Sequence, residues 1–233
     1  MLQQLREQVL EANLELVRRG LVLYTFGNAS GIAREEGLVV IKPSGVPYDE
    51  LTPEHMVVTA LDGAVVAGKL NPSSALPTHL ILYKSFPEIG GVAHTHSEYA
   101  TAWAQARKSI PCFGTTHADY FHGPVPVTSE LSNREITEDY EKNTGHIIVR
   151  SLQGTSPAAL PGILVINHGP FAWGKDAAAA AHNAVILEAI ARMAYFTIGI
   201  DPSAQPISNA LQDKHYLRKH GKDAYYGQAK DKS

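Results

Sequence analysis

Cysteine is nearly absent from this 233-residue chain, where Cys112 stands alone. A lone thiol excludes an internal disulfide framework and fits a reducing cytoplasm. Neither sign of charge is in excess. Twenty basic residues face 23 acidic ones, a formal net charge of −3, so electrostatics gives no reason to expect a nucleic-acid or membrane-surface partner. A clean apolar run of membrane-spanning length is also missing. Ala177 to Ile200 comes nearest, but His182, Asn183, Glu188 and Arg192 interrupt it, and it reads as a helix buried in protein. Glu7, Glu11 and Glu15 break up any apolar signal region at the N-terminus. No Walker loop is present and no G-x-G-x-x-G opens a helix, so nucleotide binding is not indicated.

What is present suits one large core, with 44% hydrophobic and 18% charged residues. Leu2, Leu5, Val9, Ala12, Leu16 and Val17 recur at helical spacing before Gly20. Gly20 to Phe26 reads as a short apolar strand that breaks at Gly27-Asn28-Ala29-Ser30-Gly31. Leu38 to Ile41 reads as a strand ending in a Pro-Ser-Gly turn, and Asp62-Gly63 as the turn of a hairpin between 56–61 and 64–67. Helices are predicted over 77–86, from a Ser97 cap to Arg107, over 133–142, from about Asp176, and over 208–220. Further strands are predicted at 91–94, 110–113, 147–149 and 163–166. Strands separated by helices predict an α/β layered domain around a mixed or antiparallel sheet. One domain covers 1–228, with a frayed tail at 229–233.

His94-Thr95-His96 is the first informative motif. Side chains two apart in an extended segment share a face, so both imidazoles emerge together at a strand's end. His168 follows another apolar run, where α/β folds place ligands. Three imidazoles with an open position describe a catalytic divalent-cation site, with zinc favoured and manganese or cobalt as alternatives. A bare His-x-His is a weak motif, and ordinary strand ends share it.

Three turns rich in small polar residues follow apolar segments, carrying Asn28, then Lys42, Ser44 and Gly45, then Ser73 and Ser74. Short donors beside one cation are what a phosphate needs. Thr115-Thr116-His117-Ala118-Asp119 adds a polar cluster with Asp119 as a candidate acid/base. A basic C-terminal helix carries His215 and Arg218 ahead of Tyr225-Tyr226.

Together these segments resemble the class II aldolase/epimerase family, within it the epimerases. The likeness runs through 8–14, Ile41-Lys42-Pro43-Ser44-Gly45-Val46, Pro77-Thr78-His79, and Gly90-Gly91-Val92-Ala93-His94-Thr95-His96-Ser97. It continues in 114–121, His168-Gly169-Pro170-Phe171-Ala172-Trp173-Gly174-Lys175, and 213–228. The resemblance implies a three-layer α/β/α sandwich, a cyclic homotetramer with active sites between subunits, and one divalent metal per subunit on His94, His96 and His168. It implies a phosphate pocket of Asn28, Lys42, Ser44, Gly45, Ser73 and Ser74, with Thr115 also at the substrate. The catalytic pair would be Asp119 and Tyr226, the latter reaching in from a neighbouring subunit with His215 and Arg218 beside it. The implied activity is 4-epimerisation of L-ribulose 5-phosphate to D-xylulose 5-phosphate in a cytoplasmic sugar-degrading route.

The chemistry makes those parts intelligible. C4 of a 2-ketose carries no acidic hydrogen, so C3–C4 is cleaved instead, leaving an enediolate whose charge a Lewis acid can stabilise. The aldehyde fragment, tethered by its phosphate, rotates and is re-attacked on its other face, and each side needs a proton handler. Three departures from the family stand out. Ala75 replaces the acidic residue expected after the paired serines, and Phe26 and Ala29 stand where Trp and Val are expected. Aldolase (lyase) chemistry, another ketose as substrate, and a non-catalytic binding role remain as alternatives.

Overall fold

The computed structural model describes residues 2–226, so the expected tail at 229–233 lies outside the described residues. Helix α1 (Leu2–Arg18) leads into the strands β1 (Asn28–Ala33), β2 (Leu38–Ile41), β3 (Val57–Ala60) and β4 (Val65–Ala67). Next come α2 (Leu76–Ser85), β5 (Gly91–His94), α3 (Glu98–Gln105), α4 (Thr115–Ala118) and α5 (Asn133–Ser151). The strands β6 (Gly162–Val165) and β7 (Gly169–Gly174) form a hairpin, followed by α6 (Ala177–Ile200) and α7 (Asn209–His220).

The strands make one sheet in the order β4-β3-β2-β1-β5-β7-β6, and every neighbouring pair is antiparallel. The central sheet, expected to be mixed or antiparallel, is antiparallel throughout the described residues. Helix α2 carries the chain back across the width of the β1–β4 hairpins and returns β5 beside β1 in the opposite sense, so hairpins join sheet neighbours and the helices join strands that are not adjacent. Both faces are covered, and the pleat sorts the residues. Val39, Ile41, Val92, Phe171 and Trp173 join one core with Leu80 and Tyr83 of α2 and Ala100 and Ala104 of α3. Val40, Ala93 and Ala172 join the other with Val9, Ala12 and Leu16 of α1 and Ala177, Ala180 and Ala181 of α6. This is the α/β/α sandwich.

Several local readings are overturned by tertiary contacts. Residues 21–27 are loop, and Asn28-Ala29-Ser30-Gly31 is strand rather than turn. Small residues are needed there because α1 lies close: a Cβ at Gly31 would sit 3.0 Å from Leu5 Cδ1. Buried Asn13 completes the ladder beyond the end of β2, accepting from Ala29 N at 2.8 Å and donating to Ala29 O at 3.0 Å. The β-branched run 147–149 is helical, since Ile147 and Ile148 are buried within α5. There Gly145 lets α2 approach, a Cβ being 2.7 Å from that of Ile81. At 110–113 only an isolated bridge from Ile110 to Val125 forms, Pro111 removing a donor. Strand β7 opens with Gly169-Pro170 and gives no strand signal of its own.

The Ala-rich segment is long and apolar enough to resemble a membrane span, but its buried residues recur every three or four positions along one side, from Ala177 to Ala194. Its Glu188 carboxylate accepts from Tyr99 N and Ala100 N at 2.8 and 2.9 Å. That carboxylate, not the Ser97 hydroxyl, satisfies the start of α3; Ser97 makes no side-chain cap bond.

Candidate metal centre and active-site cavity

The topology explains why His94, His96 and His168 meet. His94 ends β5, and β7 runs beside it with His94 opposite Phe171. The β6–β7 turn therefore arrives at the same sheet edge, with Asn167 in the left-handed region (φ 58°) turning His168 inward. Gly169 permits the approach, because a Cβ would lie 2.8 Å from Thr95 O. The three ligating atoms lie within 4.8 Å of one another. Ring centroids are 4.7–5.0 Å apart, and His94 Nε2 faces His96 Nε2 at 3.1 Å.

The donor chemistry fits a cation. Burial, reinforced for His94 by its histidine neighbours, holds His94 well below its ordinary range, lowers His96, and takes His168 to about 4. All three imidazoles are therefore neutral near pH 7, with lone pairs available. His94 Nδ1 donates to Pro170 O at 2.9 Å, which leaves the Nε2 lone pair for a cation. Phe171 stacks on the same ring at 4.1 Å.

The histidines open into a cavity of about 380 Å³, a size suited to a small metabolite. Asn28, Lys42, Ser44, Gly45, Ser73 and Ser74 all line it, so the structure gathers every sequence-predicted phosphate residue except Thr115, His215 and Arg218. The turn after β2 and the turn before α2 are tied together by Ser44 N to Asn71 O and Ser73 N to Lys42 O, both 3.0 Å. Lys42 is buried, and its Nζ donates to Val46 O at 3.0 Å and lies over the Tyr48 ring. Desolvation lowers its pKa to about 8. Asn28 Oδ1 is buried without a protein partner. Ala75 occupies the α2 N-cap with no side-chain acceptor, so the positive end of that helix is left open to the cavity.

Asp119, Thr115, His215, Arg218 and Tyr226 do not line this cavity. Asp119, His215, Arg218 and Tyr226 form a second cluster where α7 packs on α4, the helix that Thr115 opens. Arg218 makes a bidentate pair with Asp119 at 3.0 and 2.8 Å, and His215 Nδ1 lies 3.1 Å from the same carboxylate. Burial acts to raise the Asp119 pKa, but these partners and Lys219 outweigh it and hold the carboxylate below its usual range. Tyr226 is exposed and lies against Arg218 and Lys219, 4.9 and 4.4 Å from the ring centre.

Sequence reasoning missed Thr78, Tyr140, Glu141 and Thr144, which also line the cavity. No local pattern announces them, because a non-helical residue inside α5, Asp139 (φ −157°, ψ 62°), swings that stretch toward the histidines. Among the described residues, Glu141 is the sole carboxylate lining the cavity.

This fold and histidine site define the class: the chain belongs to the class II aldolase family, whose model for the class II aldolase and adducin N-terminal domain matches residues 7–195. A curated relative, L-ribulose-5-phosphate 4-epimerase UlaF of Salmonella paratyphi B, is 55% identical over 97% of this chain and all of its own length. The UlaF protein of Salmonella typhi is similar to the same extent. Among solved structures, an L-fuculose 1-phosphate aldolase superposes with a TM-score of 0.80 at 24% identity, covering 93% of this chain and 96% of that one, a likeness of fold. YgbL of Klebsiella pneumoniae, described as a putative aldolase/epimerase/decarboxylase, gives 0.72 at 26% identity, covering 92% and 98%.

Proposed function

We propose that this chain is a divalent-metal-dependent isomerase that converts L-ribulose 5-phosphate to D-xylulose 5-phosphate by cleaving and remaking C3–C4. The observation that carries the reading is the convergence of three neutral imidazoles beside a cavity that also holds Lys42, Asn28 and the paired serines. The UlaF relatives bear that activity in their name.

His94, His96 and His168 would hold a divalent cation, zinc by the all-imidazole donor set, which would supply Lewis-acid stabilisation of negative charge developing on the substrate. Lys42, the turn N–H groups and the α2 N-terminus hold the phosphate, so the aldehyde fragment stays captive while it rotates. Buried Asn28 Oδ1 takes a hydroxyl of the substrate as the donor it lacks. Asp119 and Tyr226 handle the proton at the C4 oxygen on its two faces. Because neither lines the cavity of its own chain, each serves the cavity of a neighbouring copy in a cyclic tetramer. The chain works as one domain through residue 228, in the cytoplasm, on a sugar phosphate from arabinose-type pentose breakdown.

Incubating zinc-loaded protein with L-ribulose 5-phosphate tests this. Formation of D-xylulose 5-phosphate is expected. Free glycolaldehyde phosphate without epimer points to an aldolase, and no turnover with metal bound rejects the reading.

A further inference from the structure

Two of the three histidines are held from behind, in different ways. His94 Nδ1 donates to a backbone carbonyl, Pro170 O. His168 Nδ1 instead meets a side chain, the Tyr140 hydroxyl at 3.0 Å, with the two rings stacked at 5.9 Å and 24°. A phenol oxygen has a lone pair for the Nδ1 proton and keeps a proton of its own. With Nδ1 engaged, Nε2 is the nitrogen left to face His94 and His96.

Reaching His168 demands an unusual backbone. Tyr140 directly follows Asp139, where α5 leaves helical geometry. The break is stabilised on each side. Asn143 Nδ2 takes the Glu135 carbonyl at 2.9 Å, Thr144 Oγ1 takes the Tyr140 carbonyl at 2.8 Å, and Thr78 Oγ1 of α2 takes the Glu141 carbonyl. Three side chains thus satisfy carbonyls around one kinked residue, and the result is a tyrosine delivered to the back of one imidazole. Interior kinks of this kind are built features with an identifiable local cause.

We infer that Tyr140 is a positioning residue for the metal centre: its hydroxyl accepts the Nδ1 proton of His168, fixes the tautomer that presents Nε2, and is itself held in place by the kink in α5. The inference rests on the metal-centre reading above. It adds that the cation's hold on the sheet edge depends on a helix from another layer. Outer partners of ligating histidines orient the ring and raise its basicity, and their loss costs about 10- to 100-fold in metal affinity.

The experiment compares zinc binding by metal-stripped wild type, Tyr140→Phe and Asn143→Ala, using competition against a chromophoric chelator, with thermal melting of each metal-free protein. Tyr140→Phe keeps the stacked ring and removes only the oxygen. Its zinc dissociation constant is expected to rise by about 10- to 100-fold, with the melting curve of the metal-free protein little changed. Asn143→Ala keeps the hydroxyl but loosens the kink, and should weaken zinc in the same direction by less. A purely structural tyrosine would show the reverse pattern: lowered melting and unaltered zinc affinity. Zinc affinity of the Phe variant within about twofold of wild type overturns this inference alone. A wild-type protein that takes up no divalent cation overturns it together with the metal-centre reading.

Discussion

The two clusters that the sequence marks for chemistry are built on opposite physical plans. The histidine cavity sits on the sheet: its side chains leave strand ends and tight turns, its imidazoles are neutral, and its one lysine is desolvated. The Asp119 cluster sits where α7 packs on α4, and its currency is charge, with Arg218, His215 and Lys219 converging on one carboxylate. Helix α7 has no buried residue, so ion pairs and hydrogen bonds rather than an apolar face seat it. A neutral, preorganised site suits a cation and a polar substrate. A charge-dense outer helix suits a surface that a second copy covers, where those pairs would be desolvated and strengthened.

This contrast can be broken by mutation. The largest effect belongs to the cavity. His94→Asn removes one of three ligands, and both zinc content and turnover should fall, turnover by about 10³-fold or more; full zinc occupancy with normal turnover would remove His94 from the centre. The Asp119 cluster should respond differently. Asp119→Asn and Tyr226→Phe are each expected to lower turnover by about 10²–10⁴-fold with metal content unchanged. Mixing the inactive His94→Asn and Tyr226→Phe proteins should restore some activity if each copy completes its neighbour's site. No recovery in mixed oligomers would place both clusters' work within one chain.

The smallest effect is on stability against pH. Burial depresses His79 to about 3 and His117 to about 4. The unfolded chain takes up those protons near the ordinary histidine value of about 6.5, whereas the native protein does not. Stability is therefore full above that value and lost as pH falls toward about 4, by about 1.4 kcal/mol per pH unit for each group. Thermal melting of the metal-free protein should drop between about pH 7 and pH 5. A flat profile would show that these rings titrate alike in both states.

Much of the cavity was legible because its residues come as local words. His94-Thr95-His96 carries its own geometry, since alternation on a strand places both rings together, and the turns at 42–45 and 71–74 name themselves by composition. What stayed hidden depends on other layers. Ala29 and Gly31 read as turn residues because smallness is a turn signal, yet here it answers the closeness of α1, while Ser30 turns to His79 and Tyr83 of α2. The run 147–149 reads as strand because β-branching outweighed the helical spacing of its buried residues. Tyr140 and Glu141 were missed because a kink with no proline or glycine at its centre has no local signature. The separation of Asp119 from the histidines was likewise invisible, since a list of matching residues says nothing of which surface each occupies.

The carboxylate of Glu188 has a further bearing on the reaction. By gripping the first amides of α3, it pins the chain just beyond His96, while β5 pins it just before. The segment carrying two imidazoles is thereby fastened at both ends to rigid neighbours. In the proposed reaction, the reorientation that inverts the sugar carbon would then fall to the severed aldehyde alone, swinging about its phosphate against a stationary frame.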